Sequence, residues 1–350
     1  MSDILVRIEG RAGRITLNRP KALNSLTYDM LRAIDAALDA WREDERVALV
    51  LIDAAGERAF AAGGDIVDLY ETGRAGDFAF GQAFWAFEYR LNAKIANYPK
   101  PYVAIMHGFV MGGGVGVSAL GSHRVVTDGT EVAMPECGIG LAPDVGGSKL
   151  LASAPGRAGE YLGMTGARMG PGDAIHAGFA DVYVPKDRLE ALKARLIETG
   201  DAGEIGRFAA APESGDLVGA EARINDVFAA PSAVEIEARL ERDAKAGSAW
   251  AEKTLKALRR ACPLSAAVTM EMVRAARGMT LEQALTQEYR FTSRCMEEGE
   301  FLEGVRAAVI DKDRAPNWAK PRLCDVTAAD VAAMLRPAET GDLTFEGDKS

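Results

Sequence analysis

The sequence predicts an α/β fold followed by a helical region, and three observations carry that reading. The apolar runs "VALVLIDA" and "PYVAIM" show no polar alternation, the pattern of strands covered on both faces. Segments with helical spacing alternate with them, as α/β folds require. After about residue 186 strand signals stop and helical segments follow one another.

The elements follow in order. "ILVRIEG" and "GRITLNRP" flank Arg11-Ala12-Gly13 and read as a strand pair joined by a turn. A helix starts at Thr27, a good N-cap, with Asp29 in its first turn. Its apolar face is Met30, Leu31, Ile34, Leu38 and Trp41. A helical segment over roughly 80–97 precedes "PYVAIMHG", and "HRVVTDGTEVAM" gives further short strands. "EALKARLIETG" is helical and "DAGEIGRFAAAPESGDLVGAE" is loop-rich. From "INDVFAAPSAVEIEARLERDA" onward helices dominate, including "PLSAAVTMEMVRAARG" and "TLEQALTQEYRFTSRCMEEGEFLEGVRAAV". The expected division is a core at 1–200 and a helical region at 201–350, with a loose acidic tail after about 337. There is no internal repeat.

Composition narrows the function. The 350 residues are 48% hydrophobic, enough for a sizeable core. Net charge is 41 − 51 = −10, which argues against a general nucleic-acid surface. An anionic ligand would need a few local Lys or Arg and backbone N–H groups. Cys137, Cys262, Cys295 and Cys324 form no CxxC pair, so neither a zinc site nor a disulfide framework is expected. Free thiols fit a reducing cytosol. The N-terminus has no apolar run of signal-peptide length, and "VALVLI" is too short to span a bilayer. The expectation is a soluble cytoplasmic protein with no membrane contact.

Two glycine clusters follow apolar strands: "FAAGGDI" at 60–66 and "HGFVMGGGVGVS" at 107–118. Glycine there lets backbone approach a ligand, and two N–H groups facing one point stabilise an oxyanion. A glycine run after a strand is as often only a turn. "GGGVGVS" fails the dinucleotide spacing at Val117, and "GGSK" is no P-loop. None of His107, His123 and His176 adjoins a Ser or Cys nucleophile, and His107 reads as structural. Carboxylates remain. "EVAMPECGIGLAPDVGGSK" places Glu136 and Asp144 in an apolar, glycine-rich run. A buried carboxylate has raised proton affinity and serves as acid, base or nucleophile. The commoner fate of such a residue is a solvated loop or a helix cap, and Asp144 could cap a helix from Val145.

Taken together, "ITLNRPKALNSL", "FAAGGDI", "HGFVMGGGVGVS" and "AMPECGIGLAPDVGG" resemble the crotonase (enoyl-CoA hydratase/isomerase) superfamily, over about residues 5–320. "MPE" followed by "PDVGG", "EYRLN" at 88–92 and "FLEGVRAAVIDKDRAPNW" resemble its hydrolase branch. That branch cleaves short 3-hydroxyacyl-CoA thioesters, 3-hydroxyisobutyryl-CoA of valine catabolism and 3-hydroxypropionyl-CoA among them. The resemblance implies a spiral of ββα turns with a helical C-terminal region. It also implies an acyl-CoA substrate, no metal or redox cofactor (coenzyme A being part of the substrate) and a possible homo-oligomer.

The same resemblance assigns roles. Gly64 and Gly113 match the residues whose N–H groups form the oxyanion hole. Glu136 matches the catalytic carboxylate, Asp144 the second acid, and Glu88 a substrate-binding glutamate that would bond the substrate hydroxyl. Ala62, Gly63 and Asp65 lie in the loop lining the adenine pocket, and Lys21 matches a basic position near the CoA phosphates. Hydratases of the superfamily place a second glutamate three residues after the oxyanion glycine, where this chain has Gly116. That moves the expectation to hydrolysis. Glu136 would attack the thioester carbon to give an anhydride, or activate water, with Asp144 orienting that water or Glu136. Ala142 stands where a bulky aromatic commonly precedes "PDVGG", implying a roomier acyl pocket. Cys137 reads as a small buried filler. Two competing readings remain: a hydratase or isomerase using Glu136 alone, and a non-catalytic CoA-binding protein.

Overall fold

The computed structural model describes residues 2–339 and 341–345. It divides into two compact units, each discontinuous in sequence. One holds the residues up to Asp65, Arg90–Ala133 and Arg168–Val218; the other holds Ile66–Tyr89, Met134–Ala167 and the described residues from Gly219 onward.

The first unit carries all the described strands: β1 (Ile4–Glu9), β2 (Ala12–Leu17), β3 (Leu49–Ala54), β4 (Ala59–Ala61), β5 (Tyr102–Met106), β6 (Phe109–Met111), β7 (His123–Val126), β8 (Glu131–Ala133) and β9 (Val182–Tyr183). β1 and β2 are antiparallel, with Glu9 opposite Ala12. The turn is therefore Gly10-Arg11, with Gly10 at φ 55°, and not 11–13 as the sequence suggested. Ala12 and Gly13 already belong to β2.

All pairings beyond β2 are parallel. They build a six-stranded sheet, β1-β2-β3-β5-β7-β9, and a three-stranded sheet, β4-β6-β8. Each of the pairs β3/β4, β5/β6 and β7/β8 gives one strand to each sheet, which is the expected ββα spiral.

The helix Tyr28–Trp41 begins at Thr27, whose side chain accepts from the Met30 N–H, and buries the five apolar residues expected. On the large sheet, Leu49, Leu51, Val103, Ile105 and Val125 pack with Leu189, Leu192 and Leu196 of the helix Leu189–Thr199. The intervening Val50, Ile52 and Ala104 are equally buried on the opposite face. Burial on both faces is why "VALVLI" carries no polar alternation.

Gly108 makes the corner between β5 and β6. Its φ is +55°, and a Cβ there would stand 2.2 Å from the Arg58 carbonyl oxygen. Gly108→Ala combines a left-handed backbone with a clash against main chain, so a loss of about 2 kcal/mol is expected from the urea unfolding midpoint. An unchanged midpoint would mean that the corner relaxes at no cost.

The second unit is helical. Eleven of the fourteen residues of its helix Pro263–Ala276 are buried, which makes that helix the unit's core. The stretch from Leu281 that reads as one helix is broken into Leu281–Thr292, begun by a Thr280/Gln283 capping box, and Phe301–Val305. The tail expected to be loose is held over its described part. Ala338 and Leu343 are buried, Asp342 pairs with Arg290 at 2.5 Å, and Arg294 donates to the Pro337 carbonyl. Residues 346–350 lie outside the described residues. No described helix is long and apolar enough to cross a membrane.

Candidate active site

In the first unit, β4 and β6 are parallel neighbours with Ala61 opposite Val110, so the loops that follow them leave the small sheet side by side. The sites of a Cβ on Gly63 and Gly114 lie 3.5 Å from the Met111 oxygen and 2.6 Å from the Ala61 oxygen. The second approach tolerates only glycine. Gly112, at φ 51°, is the N-cap of the short helix Gly113–Gly116. Among the described residues, neither the Gly64 nor the Gly113 N–H donates a hydrogen bond.

A second loop pins the first. Leu26 N donates to Gly63 O, Asp65 N to Leu26 O and Ala62 N to Leu23 O, at 2.9, 2.8 and 3.0 Å. Leu23 and Asn24 both take positive φ to make this turn. The buried Asn24 amide bridges the carbonyls of Ala55 and Ala59. Arg19 binds the Asp65 carboxylate at 3.0 Å. Lys21, exposed on the turn Pro20–Ala22, is thus brought to the same loop pair as Ala62, Gly63 and Asp65. The Asp65 carboxylate thus ties this loop to Arg19. His107, as expected, is held at the end of β5, its Nε2 2.9 Å from the Gly56 carbonyl.

The acids lie in the second unit. Glu136 opens the turn Glu136–Ile139, which Gly140 closes at φ 72°. Asp144 caps no helix: the next helix is Gly147–Ser153, with Gly146 as its N-cap, and Asp144 Oδ2 instead accepts from the Tyr89 hydroxyl at 2.7 Å. The carboxylate at that helix start is Glu288. It accepts from the Gly146 N–H at 2.8 Å, from the Ser148 N–H at 2.9 Å and from the Ser148 hydroxyl. Glu88, Glu136, Asp144 and Glu288 are each 5% exposed or less, so water screens none of them.

Their proton affinities follow. Burial, then the Asp144 charge, pushes the Glu136 and Glu88 carboxyls well above the usual range. Burial raises Asp144 to about 7, opposed by the Tyr89 hydrogen bond. Burial raises Glu288 to about 8, opposed chiefly by its bond from Ser148. Burial thus favours the protonated form of each acid, opposed at Asp144 and Glu288 by the donors they accept from. Glu88 Oε1 and Glu136 Oε2 are buried and have no hydrogen-bond partner among the described residues. Buried oxygens in that state call for a partner from outside the chain, a water or a ligand.

Cys137 is a buried filler. Its thiol donates to Gly163 O at 3.3 Å, lies 3.1 Å from the Thr269 hydroxyl and is pushed far up by burial. Sequence reasoning missed Glu288, the role of Tyr89, and Asn92, which is fully buried with both amide atoms unpartnered. Asn92 lies one helical turn after Glu88, inside the quoted "EYRLN".

A ββα spiral with glycine-rich loops on its strand ends, in one chain with a cluster of buried acids, defines the crotonase class of acyl-CoA proteins. The enoyl-CoA hydratase/isomerase family model matches residues 12–335, and the chain belongs to that family. A Danio rerio protein named mitochondrial 3-hydroxyisobutyryl-CoA hydrolase is 38% identical over 353 residues, 98% of this chain and 91% of the relative. A solved structure from Rhodobacter sphaeroides, named an enoyl-CoA hydratase, is 50% identical with a TM-score of 0.93, covering 98% of this chain and 100% of that one. Another, named a carnitinyl-CoA dehydratase from Mycobacterium thermoresistibile, is 42% identical with a TM-score of 0.94, covering 99% and 100%.

Proposed function

We propose that this chain hydrolyses the thioester of a short 3-hydroxyacyl-CoA, with 3-hydroxyisobutyryl-CoA as the first candidate. The Danio rerio relative carries that activity in its name. The observation that carries the reading is Asp144, a buried acid held by Tyr89, in a chain with Gly116 where a hydratase would place its second glutamate. Water addition across a double bond needs an acid and a base at two carbons. Thioester hydrolysis needs a nucleophile, a proton route to sulfur and donors for the oxyanion.

In this reading Glu136 attacks the thioester carbon or takes a proton from the attacking water. Asp144, hydrogen-bonded by Tyr89, orients that water or Glu136. The C–S bond breaks, the CoA sulfur leaves with a proton, and water supplies the hydroxyl of the new acid. The Gly64 and Gly113 N–H groups meet the charge on the carbonyl oxygen. The unpartnered Glu88 oxygen accepts from the substrate hydroxyl. Lys21 and the Ala62–Asp65 loop take the nucleotide end of CoA. The buried, small Ala142 leaves room for a branched acyl chain. No metal or redox cofactor enters. The described free thiols suit a reducing compartment, cytoplasmic in a cell without mitochondria, although the relative is named mitochondrial.

The hydratase reading is supported by the names given to the 50% identical Rhodobacter sphaeroides protein and the 42% identical Mycobacterium thermoresistibile one. A single assay separates the two. The protein is incubated with 3-hydroxyisobutyryl-CoA while free thiol and enoyl absorbance are followed together. Thiol release is the expected result. A change in enoyl absorbance without thiol would establish the hydratase, and neither signal would leave a CoA-binding protein.

A further inference from the structure

We infer that Glu288 is a positioning residue for this reaction, bracing a strained turn that presents Asp144. The inference rests on the hydrolase reading for its kinetics and on the turn itself for its geometry.

The strain is local and visible. Gly147 N donates to Asp144 O at 2.6 Å, closing a turn whose central residues, Val145 and Gly146, have φ of 53° and 82°. Positive φ at both positions is the signature of a type I′ turn, which selects Asn, Asp or Gly. Valine at the first is the opposite choice, since a β-branched side chain in the left-handed region clashes with its own backbone. Such a conformation persists only where the surroundings enforce it.

Glu288 is what enforces it. Its fully buried carboxylate takes the Gly146 N–H on one oxygen and the Ser148 N–H and hydroxyl on the other. These three donors converge only while the turn keeps its left-handed path. One helical turn further, the Thr292 hydroxyl stands 3.3 Å from the Tyr89 oxygen, and that phenol holds Asp144. The segment from Glu288 to Thr292 thus fixes the catalytic aspartate through its backbone on one side and its carboxylate on the other. Glu288 itself is turned to main-chain donors, so it acts through Asp144.

Glu288→Gln offers an amide N–H where the carboxylate accepted, so one of the converging donors loses its acceptor. The expected result is a roughly tenfold fall in kcat for thiol release with KM within about twofold. Adding Val145→Gly, which takes positive φ without strain, is expected to restore kcat to within about threefold. Should Glu288→Gln not fold, Ser148→Ala removes only the hydroxyl contact, and a smaller kcat loss with the same rescue is expected. Wild-type kcat in folded Glu288→Gln, no loss in Ser148→Ala where that variant has to decide, or no rescue by Val145→Gly, overturns the inference. Crystal structures supply a readout independent of substrate. Val145 is expected to leave positive φ in Glu288→Gln, whereas the glycine that replaces it in the double variant keeps the left-handed path. A wild type that releases no thiol counts against the hydrolase reading alone. A Val145 that stays left-handed without the Glu288 carboxylate counts against the brace alone.

Discussion

Glu136→Gln is expected to lower kcat for thiol release from 3-hydroxyisobutyryl-CoA by about a thousandfold, within the range for loss of a placed base or nucleophile. The substitution keeps size and burial and removes only the ability to take a proton or attack carbon. Affinity for free CoA, measured by calorimetric titration, should change by less than about threefold, because only differential stabilisation of the transition state is lost. Near-normal turnover would remove Glu136 from the chemistry and shift attention to Glu88, the other carboxylate with an unpartnered buried oxygen among the described residues. A single turnover in oxygen-18 water separates the two routes. Label in the Glu136 carboxylate requires the anhydride, whereas general-base hydrolysis labels only the released acid.

Asp144→Asn is expected to raise stability at alkaline pH. Folding raises the Asp144 pKa from 3.8 to about 7, so the folded protein favours its protonated form. The contribution is complete below about pH 4 and is lost as pH rises through about 7. Asparagine still offers an oxygen to Tyr89 and carries no charge at any pH. The two proteins are expected to match near pH 4, and the variant to be more stable near pH 8.5, by up to about 4 kcal/mol at roughly 1.4 per pKa unit. Urea midpoints across that range provide the measurement. Equal midpoints at high pH would mean that Asp144 has its ordinary affinity and no catalytic tuning. The expected pattern is the familiar exchange of stability for a buried active-site acid.

What could be read from the sequence depended on the range of the signal. Met30, Leu31, Ile34, Leu38 and Trp41 announce a helix face because their spacing is local, and all five are buried. "VALVLI" announces a doubly covered strand for the same reason. The Gly10-Arg11 turn was displaced because Arg11-Ala12-Gly13 carries its own glycine, and only register shows which one bends. Glu288 left one faint trace. It falls on the stripe Leu281, Leu285, Glu288 and Thr292, where an apolar residue would be normal. Its partners lie some 140 positions away, beyond any pattern in a single chain. The left-handed Val145 could not be read at all, since valine's own preference argues against it. The roles expected of Gly64, Gly113, Glu136 and Asp144 rest on motif resemblance, and composition alone would have left each a turn or a loop acid.

The alternation of β3, β5 and β7 with β4, β6 and β8 bears on how the polypeptide is made. Successive strands are dealt to different sheets, so a nascent chain on the ribosome cannot finish one sheet and then begin the other. Both grow together, and the larger gains its last edge only when Val182 and Tyr183 have emerged. Until then parallel edges stay open, and such long-range pairing is slow to form. Synthesis halted before that point should yield a fragment that depends on chaperones, whatever the stability of the finished protein.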